Sequence, residues 1–151
     1  MFLSTDTFKQ IIDKTPLISI DLIVKNHQGN VLLGKRTNAP AKNYWFVPGG
    51  RIQKNESLNS AFARLCQEEL GIQANRSDAR LLGPYEHFYN DSVFSDDIST
   101  HYVVLGYELT VDIELANLPA AQHAQYQWFS LDTLLASDSV HPHTKWYFTI
   151  S

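Results

Sequence analysis

The strongest pattern in the chain is residues 50–72, GRIQKNESLNSAFARLCQEELGI, in which a glycine-containing turn precedes an amphipathic segment. At about 100° per residue, the apolar side chains of this segment fall on one stripe of a helix: Leu58, Ala61, Phe62 and Leu65. Asn55 or Ser57 can cap the helix at its start, and Gly71 can end it. We therefore predict a loop followed by a helix over Ser57–Leu70.

A carboxylate lies on the apolar stripe of this helix. Glu69 is only about 20° from Leu58 around the helix axis. A charge there is costly unless a cation or several donors satisfy it, and a hard divalent ion suits an oxygen ligand. The alternative is that Glu69, one residue from the helix end, bends to water. Arg64 and Glu68, four residues apart, could likewise be only a surface ion pair.

The neighbours of the helix favour the metal over the alternative. Gly49 and Gly50 leave the backbone before the helix free to approach a ligand, Arg51 follows at once, and Glu56 marks the helix start. Together these residues predict a loop and helix that hold a metal on one side and a diphosphate on the other.

Length and composition limit the classes of partner. The chain has 151 residues, of which 44% are apolar and 19% charged, as expected for one folded domain over residues 1–151. Lys and Arg number 12 against 16 Asp and Glu, a net charge of -4, which argues against nucleic acid and against an anionic membrane as partners. Cys66 stands alone, the Met1–Leu3 start lacks the features of a secretion signal, and no run approaches the ~18 apolar residues of a membrane span. We therefore expect a cytoplasmic protein.

Strand and helix patterns interleave along the chain without a regular βαβ rhythm. This arrangement favours the α/β class in its α+β form, a mixed sheet flanked by helices, over a doubly wound fold. The predicted elements besides the helix above are helices over Thr5–Lys14 and Leu131–Ala136 and strands over Leu17–Val24, Val31–Arg36, Tyr44–Val47, Leu81–Tyr89, His101–Val111 and Tyr126–Phe129. Asp21 lies among apolar residues of the first strand, so either that strand opens into a polar site or Asp21 simply faces solvent. A long polar loop over residues 90–100 is a candidate lid.

The spacing of residues 50–72 resembles the Nudix box. In that pattern a glycine is followed by Glu after five residues and then, after seven more, by Arg-Glu-apolar-x-Glu-Glu-x-Gly-apolar; the matching residues here are Gly50, Glu56, Arg64, Cys66, Glu68, Glu69, Gly71 and Ile72. The resemblance implies a Nudix fold, with a mixed β-sheet sandwiched between helices, and carboxylates of the helix that bind one or more Mg²⁺ ions. One position departs from the pattern, because Leu65 replaces the Glu that usually follows the arginine.

A second resemblance covers almost the whole chain. The chain is similar to the GDP-mannose mannosyl hydrolase subgroup of the Nudix family, which tolerates the loss of that Glu. The similar stretches are Thr15–Leu17, Leu33–Asn38, Tyr44–Arg51, His87–Tyr89, Thr100–Gly106, Gln122–Tyr126 and Leu134–Asp138. The resemblance implies that water attacks the sugar C1 of GDP-mannose, or of GDP-glucose, and that GDP and the inverted sugar are released.

The same resemblance implies a ligand set for one Mg²⁺ per active site. The Gly49 carbonyl, Glu69 and Gln122 would bind it, and all three offer oxygen, which Mg²⁺ prefers. Glu68 leaves a second ion open as an alternative. His123 would be the general base, since an imidazole with a pKa near 6.5 can take a proton from water.

The remaining implied roles concern the two halves of the substrate. Arg36, Arg51 and Tyr102 would stabilise the departing GDP, while Asp21 and His87 would contact the mannose. A diphosphate neutralised by a metal and arginines departs without a general acid, so one base suffices. The subgroup resemblance also implies a homodimer, with Met1–Leu3 as a candidate contact across it.

Two other functions stay open from the sequence. One is pyrophosphohydrolysis of a nucleoside diphosphate derivative, with Glu68 and Glu69 holding more than one metal and attack at phosphorus. The other is a nucleotide-sugar binding domain without catalysis. We assign no role to His141 and His143, which we expect to be solvent-exposed in a loop, and we expect Cys66 to be structural.

Overall fold

The computed structural model describes residues 3–119 and 123–149, without the side chains of His123 and Ala124. The helices are α1 (Thr5–Lys14), α2 (Leu58–Leu65), α3 (Leu131–Ala136) and α4 (Pro142–Lys145). The strands are β1 (Leu17–Lys25), β2 (Val31–Arg36), β3 (Trp45–Phe46), β4 (Gly49–Arg51), β5 (Arg80–Tyr89), β6 (Thr100–Thr110) and β7 (His123–Phe129). A π-helical turn spans Cys66–Leu70, and 3₁₀ turns span Arg76–Asp78, Leu115–Asn117 and Trp146–Phe148.

The strands of the described residues form one mixed sheet in the order β3-β2-β1-β6-β5, with β4 paired to β1 and β7 paired to β2. Strands β1 and β6 run parallel over their whole length, from Leu17 opposite Tyr102 to Lys25 opposite Thr110. The other pairs are antiparallel. The predicted mixed sheet is therefore confirmed.

Both faces of the sheet are covered, because successive side chains of a strand point to opposite sides. Leu22 of β1 packs with Phe62 and Leu65 of α2 in one core. Its neighbour Ile23 packs in a second core with Leu134 of α3 and with Tyr147 of the C-terminal segment, Pro142–Phe148. The sheet thus lies between α2 on one side and α3 with the C-terminal segment on the other.

The predicted helix over Ser57–Leu70 is correct in extent, but its last turn is π-helical rather than α-helical. Ser57 caps it, with its side chain accepting a 3.1 Å hydrogen bond from the Ser60 N–H, and Asn55 instead adopts a positive φ of 69° in the preceding turn. The α-helix ends at Leu65, the wider π-helical turn follows, and Gly71 closes it at φ 69°. The wider turn changes where the carboxylates near the helix end point.

Smaller differences concern the strand ends and the C-terminus. Strand β3 is shorter than predicted, and β7 begins at His123 rather than Tyr126. The loop predicted at Gly49 and Gly50 is wrong, because Gly49–Arg51 pair with β1 as strand β4. The aromatic C-terminal segment is helical, with α4 capped by the His141 side chain. No helix within the described ranges is both long and apolar enough to cross a bilayer.

Candidate active site

A cavity of about 220 Å³ opens where β1, β4, β5 and β6 meet. Its lining includes six residues to which the family resemblance assigned roles in one site: Asp21, Arg36, Gly49, Arg51, His87 and Tyr102. Strand pairing explains why they meet, since Asp21 lies opposite Gly49 across β1 and β4, and His87 lies opposite Tyr102 across β5 and β6.

The glycine pair before α2 allows the backbone to pass very close to β1 and to the helix. A Cβ atom on Gly49 would lie 2.5 Å from Oδ1 of Asp21, and one on Gly50 would lie 2.5 Å from Cδ2 of Leu65. Only glycine fits at position 49, because its Cβ would also meet the backbone carbonyl oxygen of Ile20, whereas at position 50 the end of the Leu65 side chain would have to shift. Leu65, at the position of the missing carboxylate, is 2% exposed and belongs to the core.

Glu69 is the buried carboxylate of this region. The residue is 2% exposed, so the alternative in which it bends to water is wrong. The Gly49 backbone acts to lower the pKa of the carboxylate, while Oε1 has no hydrogen-bond partner among the described residues. Burial, with a smaller contribution from the charge of Glu68, raises the pKa of Glu69 to about 7. A buried carboxylate oxygen without a donor fits a bound cation.

Arg64 connects the loop to the helix, which is more than the surface ion pair considered above. Its Nε and Nη2 donate to the two carboxylate oxygens of Glu56 at 2.6 and 2.9 Å, and Nη2 also donates to the Arg51 carbonyl at 2.9 Å. The bond from Arg64 holds the pKa of Glu56 below its usual value. Nη1 donates to Glu68 at 3.0 Å, and the Glu68 side chain is 56% exposed, in contrast to Glu69.

Asp21 faces the cavity, so the solvent-facing alternative for this strand position is wrong. The Tyr147 hydroxyl donates to Asp21 Oδ2 at 2.6 Å. Burial raises the pKa of Asp21 to about 7, while the Tyr147 bond and the charge of Arg36 act in the opposite direction. Nothing in the sequence around Tyr147 points to Asp21, because the two residues meet only through the fold.

His87 belongs to a group of stacked imidazoles. It is 4% exposed, and its ring is parallel to that of His143 at 4.4 Å, with Nε2 lacking a hydrogen-bond partner in the described part of the chain. Burial lowers the pKa of His87 to about 3 and those of His141 and His143 to about 4. The expectation of two solvent-exposed loop histidines was wrong for both residues. His143 is 6% exposed because α4 folds back over β5, and the half-buried His141 caps α4 and stacks on the ring of Phe46.

These imidazoles do not form a metal site. Among the described residues, no group of three or more His, Cys, Asp or Glu side chains is arranged to hold an ion. Cys66 is buried in the core, and burial raises the pKa of its thiol to about 12, in line with a structural role.

Two arginines supply positive charge at the cavity. The Arg51 guanidinium lies 4.7 Å from the ring centroid of Phe8 in α1, and that of Arg36 lies 5.7 Å from the ring centroid of Phe46. Tyr102 lines the same cavity and, together with Arg36, an adjoining cavity of about 280 Å³. The predicted lid loop reaches this second cavity through Val93.

Two predicted residues cannot be placed fully. The backbone of His123 begins β7 and pairs with Arg36 of β2, so its Cα lies beside a residue of the cavity, but its side chain lies outside the description. Gln122 lies outside the described residues, as do Met1 and Phe2 of the predicted dimer contact.

The model of the NUDIX domain family matches residues 15–150. The chain belongs to the Nudix family. It is 37% identical over 142 residues, or 94% of its length, to the low-salt glycan biosynthesis protein Agl8 of Haloferax volcanii, of which the match covers 86%.

Solved Nudix structures share this fold. The MutT protein of Methanosarcina mazei superposes with a TM-score of 0.67 at 22% identity, covering 89% of this chain and 92% of that one. The NUDIX domain of Shewanella oneidensis NrtR, crystallised with ADP ribose, superposes with a TM-score of 0.66 at 19% identity, covering 97% and 96%. The mixed sheet and its flanking helices are thus the Nudix fold. Membership of the Nudix family supports a hydrolase activity, and Nudix hydrolases generally use divalent metals such as Mg²⁺.

Proposed function

We propose that this Nudix protein hydrolyses a GDP-hexose, GDP-mannose and also GDP-glucose, to GDP and the free sugar, with water attacking the sugar C1 and inverting it. The observation that carries the proposal is one cavity lined by a polar pair, Asp21 and His87, by two arginines, Arg36 and Arg51, and by Gly49 of β4. Similarity to a glycan biosynthesis protein supports a sugar-containing substrate.

One Mg²⁺ fits the residues between β4, which begins with Gly49, and the end of the helix that carries Glu69. The Gly49 carbonyl, Glu69 and Gln122 would hold it, and the buried Oε1 of Glu69 without a donor supports this choice. When bound, the ion supplies positive charge that neutralises the diphosphate. Glu68 is exposed and bonded to Arg64, which favours one ion over two.

The arginines act on the leaving group. Cleavage at an anomeric carbon leaves negative charge on the diphosphate and positive character on the sugar, so cations belong on the phosphate side. Arg36 and Arg51 line the cavity with Tyr102, a hydroxyl that burial keeps protonated by raising its pKa. The three groups would bind the phosphate oxygens, and GDP would leave as the anion.

The sugar would lie against Asp21 and His87. Asp21 accepts a hydrogen bond from a sugar hydroxyl, and His87, kept neutral by burial, has Nε2 available for another. His123 would take the proton from the attacking water, because its backbone lies beside Arg36 at the cavity. We further propose a homodimer, which light scattering after size-exclusion chromatography would test.

Attack at phosphorus is the second candidate. A Nudix structure crystallised with ADP ribose, and 36% identity over 70 residues to the RNA pyrophosphohydrolase of Haemophilus influenzae, favour it. That match covers only 46% of this chain and 33% of the relative.

Product analysis separates these functions. GDP-mannose, GDP-glucose and ADP-ribose are incubated with the protein and Mg²⁺, and nucleotides and sugars are separated by chromatography. We expect GDP and free hexose from the GDP-sugars. GMP with hexose phosphate would instead support attack at phosphorus, and tight binding without turnover would support a binding domain.

A further inference from the structure

The C-terminal segment of the described chain, Pro142–Phe148, contacts both residues proposed to bind the sugar. The Tyr147 hydroxyl donates a hydrogen bond to Oδ2 of Asp21 at 2.6 Å. His143 stacks on His87 with ring centroids 4.4 Å apart and planes 13° apart. Positions 143 and 147 are four residues apart, so consecutive helical turns bring them to one face of the segment.

The sheet leaves a slot for the Tyr147 ring. Gly106 of β6 lies opposite Asp21 of β1, and a Cβ atom there would lie 2.8 Å from Cε1 of Tyr147. Tyr85 of β5 packs edge-on against the same ring at 4.5 Å. Because Gly106 has no side chain, the Tyr147 ring fits against β6, and its contact with Tyr85 keeps its hydroxyl next to Asp21.

This contact orders the Asp21 carboxylate. Oδ2 accepts the hydrogen bond from Tyr147, while Oδ1 lies on the side of Gly49 in β4. A carboxylate with one oxygen held by a buried donor has one preferred orientation, which lowers the entropic cost of binding a hydroxyl at the other oxygen. The orientation of the His87 ring is likewise restricted, because the ring stacks on that of His143.

We propose that Tyr147 and His143 are positioning residues that fix Asp21 and His87 for hexose binding, so that the C-terminal segment orients the groups that bind the sugar. The proposal rests on the proposed function, because it takes the hexose as the group bound at Asp21. Neither side chain needs to contact the substrate itself.

The first test removes a single hydroxyl. Tyr147→Phe keeps the ring in its slot, and we expect kcat/KM for GDP-mannose to fall about tenfold or more, since hydrogen bonds to charged groups are among the stronger ones. Affinity for GDP, which lacks the hexose, should stay within twofold by calorimetry. The matched control is Tyr85→Phe, which removes a hydroxyl from the adjoining ring and should leave both quantities unchanged.

A double-mutant cycle then assigns the effect to Asp21. In an Asp21→Ala background, Tyr147→Phe should change kcat/KM by less than twofold, because the acceptor of the Tyr147 hydrogen bond has been removed. For His143, the Ala variant should lower kcat/KM for GDP-mannose, and the Phe variant, which restores a flat ring against His87, should recover most of it.

The outcomes separate this inference from the proposed function. If the wild type releases no hexose from any GDP-sugar, the proposed function fails. If Asp21→Ala is impaired while Tyr147→Phe matches the wild type, or if Tyr147→Phe weakens GDP binding as much as hexose turnover, the positioning role is overturned and the proposed function stands. The carboxyl ¹³C resonance of Asp21, recorded without substrate, should move in Tyr147→Phe and remain in place in Tyr85→Phe. An unmoved resonance in Tyr147→Phe would overturn the hydrogen bond itself.

Discussion

Replacing Glu69 by Gln should stabilise the metal-free protein while abolishing its activity. Glu69 is 2% exposed, and one of its carboxylate oxygens has no hydrogen-bond donor among the described residues. A charge in that position opposes folding unless a cation is bound. The glutamine amide has nearly the same shape and no charge, so it removes the cost of burying a charge but cannot serve as an anionic metal ligand.

The size of the effect follows from the pKa. Burial raises the pKa of Glu69 from 4.5 to about 7, and each pKa unit is worth about 1.4 kcal/mol. Because the folded-state pKa is the higher one, the associated stability is present at low pH and is lost as the pH rises through 7. The ionised carboxylate therefore costs about 3 kcal/mol at pH 8 and under about 1 kcal/mol at pH 5.

Urea denaturation in EDTA at both pH values measures this difference. At pH 8 the Glu69→Gln variant should be more stable than the wild type by up to about 3 kcal/mol, and the gap should narrow at pH 5. Adding Mg²⁺ should raise the stability of the wild type and not of the variant.

The control is the adjacent carboxylate. Glu68, 56% exposed at its side chain, contributes only a surface pair with Arg64, so Glu68→Gln should change stability by less than about 1 kcal/mol at either pH. Equal stabilities of the wild type and Glu69→Gln at pH 8, or equal effects of the two substitutions, would refute the assignment of Glu69 as a buried, unsatisfied charge.

Three further substitutions test other parts of the site. His123→Gln should lower kcat by about 10² to 10⁴, the usual effect of losing a general base, with an unchanged melting temperature; an unaltered pH–rate profile would exclude it as the base. Arg64→Met, which removes the two hydrogen bonds from the guanidinium to Glu56 and leaves the one from the Gln53 N–H, should lower the free energy of unfolding by about 2 kcal/mol in urea titration. Gly106→Ala should force the Tyr147 ring from its slot and cost about 1–3 kcal/mol, measured by thermal unfolding; an unchanged melting temperature would contradict the slot.

Local patterns were sufficient to predict most elements and the burial of Glu69. The helix wheel placed Glu69 beside Leu58 and Phe62, and the carboxylate is indeed buried. The change to a π-helical turn at Cys66 could not be predicted, since no Pro or Gly marks it before Gly71. The residues of the cavity could be named from the sequence only through the family resemblance, and the metal, sugar and base roles remain proposals.

The contacts of the C-terminal segment were beyond sequence reasoning. Tyr147 and Asp21 are 126 positions apart, and their hydrogen bond depends on α4 folding back over β5 and on the space at Gly106. From the sequence alone, His141 and His143 were expected to be solvent-exposed in a loop. The stacking of His143 on His87 follows from the packing of helix on sheet, which short-range periodicity does not encode.

The most direct test of carbon attack is hydrolysis of GDP-mannose in water enriched in ¹⁸O, with both products analysed by mass spectrometry. Attack at C1 puts the heavy oxygen on mannose and leaves GDP unlabelled. Heavy oxygen in a phosphate group of the nucleotide product, with unlabelled sugar, would contradict it.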